Sequence, residues 1–371
     1  MKLIVLKTNL REGLNIVGKI NSEAPSLPIL KNFLLETVDN QIKISTTNLE
    51  LAITGYVSGK IIENGGLTIP LNIFSAIINN LQSERIELET EKDNLIIKTE
   101  NYEAKLQGIK KDDFPLLPKV ENNENFIEIQ NSILKKTLVL VISAAQASSA
   151  RPVLNSVLLD FQTSFMKLAA TDGFRLAEQT INENYYKTNL EKNIKLVIPL
   201  KTIQELIRII QDEENGNVRI YFDNNLIIFK NDKYEVVSRL INEEFPNYDP
   251  IIPKVINTEI IVNKNQLINA LKLTGVFSDR LNEIKINIPK EMKSIEIYSS
   301  NSFVGENKYL IPAKIKGEPL EIVFNWRFIT DGIKNLETEN VFMGLTSDKN
   351  PALIKPADDP NYFYIVMPIK A

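Results

Sequence analysis

The 371-residue chain contains no histidine and no cysteine. That removes the commonest general base, the Ser-His nucleophile, thiolate chemistry and the usual transition-metal ligands. Any catalysis would rest on Asp, Glu, Lys, Tyr or hydroxyl groups. The most suggestive carboxylates are the adjacent pairs Asp112-Asp113 and Asp358-Asp359, which could serve a metal-dependent nuclease or phosphatase if both oxygens met one ion. Neighbouring residues in an extended segment face opposite ways, and both pairs stand close to prolines. Solvated loops are the expectation for both, with no metal, no cofactor and no catalytic residue.

Binding chemistry has to be sought in the elements instead, and these repeat. Three helical patterns begin at Ile69, Ile198 and Phe324, 129 and 126 residues apart. In the first, covering residues 69–81, Ile73, Phe74, Ile77, Ile78 and Leu81 share one face of a 3.6-residue helix. Pro70 and Pro199 suit the entry to such a helix. A second helix opens each unit, marked by the i, i+4 pairs Leu10/Leu14, Leu134/Leu138 and Leu267/Leu271. Alternating runs around Ile86-Glu87-Leu88 and Val218-Arg219-Ile220 lead through Asp/Asn-rich turns into Leu95-Ile96-Ile97 and Leu226-Ile227-Ile228, which predicts hairpins.

Proline-rich segments close the first two units, Asp113-Phe114-Pro115 to Lys119 and Glu244-Phe245-Pro246 to Lys254. Proline at that spacing predicts extended linkers. The domains are therefore 1–120, 121–250 and 251–371, each with two helices and roughly eight strands in an α+β, helix-on-sheet layout. Net charge is −4, so nucleic acid would have to be met by basic residues segregated on one surface, not by bulk attraction. The short apolar N-terminal run and the interrupted stretch from Leu138 to Ala145 predict a cytoplasmic protein with no membrane span. Repetition by itself leaves open a tandem-repeat adaptor that never touches DNA.

The segment Leu168-Ala169-Ala170-Thr171-Asp172-Gly173-Phe174-Arg175-Leu176-Ala177 is more specific. With it go Arg151-Pro152-Val153-Leu154-Asn155, Phe245-Pro246-Asn247-Tyr248 and Tyr364-Ile365-Val366-Met367-Pro368-Ile369. Pro25-Ser26-Leu27-Pro28-Ile29-Leu30 and Thr46-Thr47-Asn48-Leu49-Glu50-Leu51 complete a series that, in this order over the whole chain, resembles the bacterial DNA polymerase III beta subunit family, the sliding clamps. The resemblance implies three repeated clamp domains in each chain and a head-to-tail homodimer, a six-domain ring with helices inside. Twelve helices at about 10 Å spacing give a circle about 38 Å across and a hole of about 28 Å. Duplex DNA would pass through without sequence readout, held by weak phosphate contacts that allow sliding.

Carried over position by position, the resemblance implies a partner groove walled by Leu154, Thr171, Gly173, Phe174, Arg175, Leu176, Pro246, Ile251, Asn325, Phe328, Met367, Pro368 and Ile369. Short linear peptides of the polymerase III alpha subunit, the clamp loader and repair polymerases would bind there. Leu, Ile, Phe and Met suit an adaptable apolar slot, Gly173 close backbone approach, and Arg175 with Asn325 the orientation of a bound chain. Arg11, Lys135, Lys136, Arg151, Lys201 and Arg208 are the expected DNA-facing residues, with Lys7, Lys19, Lys264, Lys272, Arg327 and Lys334 in or beside the same helices. Leu106 of one chain would meet Val276 and Phe277 of the other across the dimer interface. The sequence departs from the family at Phe174, often histidine, at Ala24, at Pro152-Val153 in place of an aromatic pair, and at Lys370-Ala371.

Overall fold

In a computed structural model of the chain, residues 1–18, 27–118, 120, 124–146, 151–211 and 216–369 are described. Lys19, Ala24, Pro25, Ser26, Lys119, Lys370 and Ala371 lie outside the described residues. The described residues form six α-helices: α1 Lys7–Val17, α2 Leu71–Asn80, α3 Asn131–Val141, α4 Leu200–Ile209, α5 Lys264–Gly275 and α6 Trp326–Ile333. They alternate between the opening and the interior of each repeat, as the leucine pairs and the 126- to 129-residue spacing predict. The interior helices start two residues later than their apolar patterns. Pro70 and Pro199 are the last residues of strands Gly66–Pro70 and Ile194–Pro199, and the helix begins behind them.

All strand pairings are antiparallel, and the chain divides into two compact units. The first comprises residues 1–131, 186–190 and 208–240. It contains a five-stranded sheet and a ten-stranded sheet. The ten-stranded sheet is continuous because Leu51–Val57 pairs with Tyr234–Arg239, Leu51 facing Ser238 and Gly55 facing Tyr234. Leu10, Leu14 and Val17 of α1 are buried in this unit, as are Phe74 and Ile78 of α2.

The second unit comprises residues 132–185, 191–207 and 241–371 and holds a twelve-stranded sheet. Its joint is the pairing of Arg175–Asn182 with Tyr362–Val366, Arg175 opposite Val366 and Leu176 opposite Ile365. The core beneath gathers Leu267 and Leu271 from α5, Ile329 and Ile333 from α6, and Tyr362 and Tyr364 from the last strand. Helix α6 lies so close to that strand that a methyl group on Gly332 would stand 2.5 Å from the Tyr364 ring.

The linkers are not extended throughout. Lys111–Asp113 and Asp249–Ile251 each close a single 3-10 turn. Pro250 sits in the first turn of the second, where its missing N–H and fixed φ are tolerated.

Candidate functional site

The site is built around a tight turn between two core strands, Phe165–Thr171 and Arg175–Asn182. Thr171 Oγ1 accepts from the Gly173 N–H at 3.1 Å and donates to the Arg175 carbonyl at 2.7 Å. Asp172 Oδ1 accepts from the N–H groups of Phe174 and Arg175 at 2.9 and 3.0 Å. Side chains here satisfy the backbone groups that the sheet leaves unpaired. Gly173 takes the left-handed conformation, φ +89°, and nothing lies within 4 Å of the place its Cβ would occupy.

The turn throws Phe174 outward, 60% exposed. Its ring lies nearly parallel to that of Phe328 on α6, centroids 6.4 Å apart at 27°. Arg175 folds beneath. Its guanidinium stands 4.5 Å from the centre of the Phe328 ring, and it pairs with Asp172 Oδ2 at 2.9 Å and Asp331 Oδ2 at 2.8 Å. Burial works against the charge on Arg175, but Tyr364, Asp331 and Asp172 outweigh it and the proton is held more tightly than usual. Burial alone would raise Asp331, yet hydrogen bonds from Lys334 and Arg175 bring it below the usual carboxylate range.

The C-terminal segment forms the adjoining wall. The Met367 N–H donates to the Phe174 carbonyl at 2.8 Å, and the Ile369 N–H to Val323 O at 2.8 Å. Met367 and Ile369 are half-buried and Pro368 is buried. Leu154 packs instead in a cluster with Val153, Phe245 and Tyr248. Tyr248 holds the linker down by donating to Glu178 Oε2 at 2.6 Å, and burial pushes its phenol pKa up. Pro246 and Ile251, on either side of Tyr248, are exposed.

The structure thus gathers Thr171, Gly173, Phe174, Arg175, Phe328, Met367, Pro368 and Ile369, and places Leu154 with the linker that carries Pro246 and Ile251. Three sequence expectations change. Leu176 is fully buried and lies behind the wall. Arg175 is neutralised by two carboxylates. Asn325 is the N-cap of α6, accepting from Arg327 N at 3.0 Å and donating to Leu281 O at 3.1 Å, so it too is already engaged. Sequence reasoning missed Asp172, Asp331 and Tyr248. Asp331 and Lys334 stand three residues apart on α6 and after it, a helical spacing that signals an ion pair.

The basic residues also divide. Arg11 on α1, Lys136 on α3, Arg151 and Lys201 on α4 are exposed, and Lys135 is half-buried. Lys136 pairs with Glu337. Arg208 donates to the carbonyls of Asn15 and Ile16, the latter at 2.9 Å, and so closes the C-terminal end of α1. Lys7 and Lys264 do the same for the carbonyls of Leu81 and Leu336, behind the interior helices. Of the expected interface residues, Leu106 is half-buried in the edge strand Glu103–Gln107, Val276 is 66% exposed and Phe277 half-buried at the end of α5. Among the described residues no group of three or more Asp or Glu could hold a metal ion.

Models of the N-terminal, central and C-terminal domains of the DNA polymerase III beta subunit match residues 1–118, 128–247 and 249–370. The chain belongs to that family. It is similar to the beta sliding clamp of Synechococcus elongatus, 28% identical with 100% of this chain and 99% of the relative covered. It is 27% identical to that of Bacillus subtilis over the full length of both. Among solved structures, the sliding clamp from Bacillus subtilis matches with a TM-score of 0.93 at 26% identity, covering 100% of this chain and 99% of that one. The beta subunit from Thermotoga maritima matches with a TM-score of 0.91 at 27% identity, with the same coverage. Three clamp domains, six helices and antiparallel sheets make up this sliding clamp, a non-catalytic processivity factor in DNA replication.

Proposed function

We propose that this clamp, with domain boundaries at residues 120 and 250, closes head-to-tail with a second copy around duplex DNA in the cytoplasm. Partners would engage it through the patch at Phe174. These would be the polymerase III alpha subunit, the clamp loader and repair polymerases, each through a short linear peptide. The observation that carries the groove is the exposed Phe174 ring, stacked on the half-buried Phe328 beside the open backbone at Gly173. An apolar face of that kind, backed by a rigid turn and rimmed by exposed Pro246 and Ile251, suits Leu or Phe anchors. Because Arg175 is already neutralised, the anchors and the peptide backbone supply the affinity, with little help from an acidic side chain.

Exposed apolar surface on each unit supports the dimer. In the first, Ile73, Ala76, Ile77, Leu81 and Tyr102 line a shallow hollow of about 550 Å³ along α2. In the second, Leu273, Val276, Phe303 and Val304 are exposed near the end of α5 and at a hairpin tip. Two different patches suit a heterologous, head-to-tail contact that closes into a ring.

A labelled Leu- and Phe-containing peptide titrated with the clamp tests the groove. Deleting residues 367–371 is expected to abolish binding while dimer mass and retention on circular DNA persist. Unchanged peptide affinity in the deletion would place the groove elsewhere.

A further inference from the structure

The linker behind the second repeat is tied to its sheet by one side chain. Among the described residues, the other hydrogen bonds of residues 245–252 close within the linker. Asp249 N donates to Asn247 Oδ1 at 3.2 Å, and the N–H groups of Ile251 and Ile252 donate to the carbonyls of Tyr248 and Asp249 at 3.1 and 3.3 Å. Tyr248 alone reaches outward, its phenol donating to Glu178 Oε2 at 2.6 Å. Glu178 is 3% exposed and sits on the strand that begins at Arg175. Its other oxygen meets Lys167 Nζ at 3.2 Å, on the neighbouring strand. The anchor is thus itself paired and fixed within the sheet. The Tyr248 ring packs on the same cluster as Leu154 and stands edge-on to Phe245, centroids 6.1 Å apart at 87°. Through its carbonyl the residue also opens the 3-10 turn that presents Ile251.

The first repeat supplies an internal comparison. Its turn at Thr47-Asn48 closes the same hydrogen bonds as the turn at Thr171-Asp172, Thr47 Oγ1 accepting from Leu49 N and Asn48 Oδ1 from Glu50 and Leu51 N. Counted from these turns, Thr54 stands where Glu178 does. Counted from Phe114-Pro115 and Phe245-Pro246, Leu117 stands where Tyr248 does. Leu117 has no hydroxyl and packs on a cluster that contains Val120, and Thr54 bonds the Ser45 hydroxyl at 2.8 Å. Here apolar contact holds the linker down, and Val120 is 5% exposed. Its counterpart Ile251 is 38% exposed and gains correspondingly less from burial. A linker that stands off its sheet in this way needs another hold.

We propose that Tyr248 is a positioning residue of the groove: its bond to Glu178 fixes the linker while leaving Pro246 and Ile251 exposed at the rim. A rim fixed in advance spares a binding peptide the cost of ordering it. This rests on the groove reading above.

Tyr248→Phe removes the hydroxyl and keeps the ring. The variant would be titrated with the labelled Leu- and Phe-containing peptide well below its thermal midpoint, where the chain is folded, with dimer mass recorded alongside. The expected result is an affinity loss of at least about threefold, with dimer mass and retention on circular DNA unchanged. Should Tyr248→Phe fail to fold, the double variant Tyr248→Leu, Glu178→Thr carries the test. It installs the pair that the first repeat already folds with, leaves no buried carboxylate unpaired, and is expected to lose affinity by at least as much. A lowered midpoint with affinity reduced less than about threefold would mean that the bond is structural only. With binding still abolished by deleting residues 367–371, that outcome would overturn this proposal and leave the groove standing. Affinity unchanged in the deletion as well would overturn both.

Discussion

Asp331 illustrates how a residue outside the groove's surface shapes it. It bonds Arg175 at 2.8 Å and Lys334 at 2.6 Å and so keeps a guanidinium under the Phe328 ring. Its carboxyl lies below the usual range, so its contribution to stability is present above the unfolded pKa of about 3.9 and is lost as pH falls through the folded value. Asp331→Asn is expected to cost roughly 1–2 kcal/mol at neutral pH, less than a fully buried pair because the carboxylate is partly exposed. Urea midpoints of the two proteins should converge as pH falls through that folded value. A gap that persists in acid would show that the pair is not its source. The chain has no histidine, and Phe174 occupies the position where the family often carries one. Peptide affinity should therefore be flat between about pH 5.5 and 7.5, where an unperturbed histidine would titrate. Isothermal titrations across that window check this. The motif around Gly173 was legible residue by residue. The engagement of Arg175 by Asp331 was not, because a partner 156 residues away leaves no local pattern.

At the scale of elements, the helices were legible because their apolar faces repeat within the chain. Leu10 and Leu14 alone would be a weak signal, but the same pair at 134/138 and 267/271 is not. The linkers were legible as boundaries and not as conformations, since a proline that forbids a long helix is accepted in one 3-10 turn. Sheet continuity across repeats was hidden, because Leu51–Val57 and Tyr234–Arg239 are far apart in sequence and each reads as an ordinary strand. Helix ends also changed what a basic residue is worth. Arg208 closes α1 through two carbonyls, so Arg208→Ala should cost about 1 kcal/mol and lower the thermal midpoint by a few degrees. Lys135, Lys136 and Lys201 make the cleaner DNA test. Changing all three to Glu is expected to reduce retention on circular DNA, with the deficit largest at low salt and the midpoint nearly unchanged. Retention equal to the parent at every salt concentration would remove these side chains from the DNA-facing surface.

For the whole molecule, a clamp's function follows from topology. A closed ring around a duplex holds without affinity, which fits a net charge of −4 and basic groups partly committed to helix ends and ion pairs. In the proposed ring, closure would depend on the apolar surface of the first and third repeats. Phe277 is half-buried at the end of α5, beside the hairpin tip that carries Gly305, Phe303 and Val304. Phe277→Asp puts a charge where a closed interface would strip its water and offer no partner, a cost of several kcal/mol. The expected outcome is a monomer of about half the parent mass by light scattering, still folded by circular dichroism and still binding the peptide, whose groove lies within one chain. Retention on circular DNA should be lost with the dimer. A parent-sized dimer in the Phe277→Asp variant would exclude Phe277 from the interface. A monomer that is retained on circular DNA as well as the parent would show that the clamp holds its template by contact and not by encirclement.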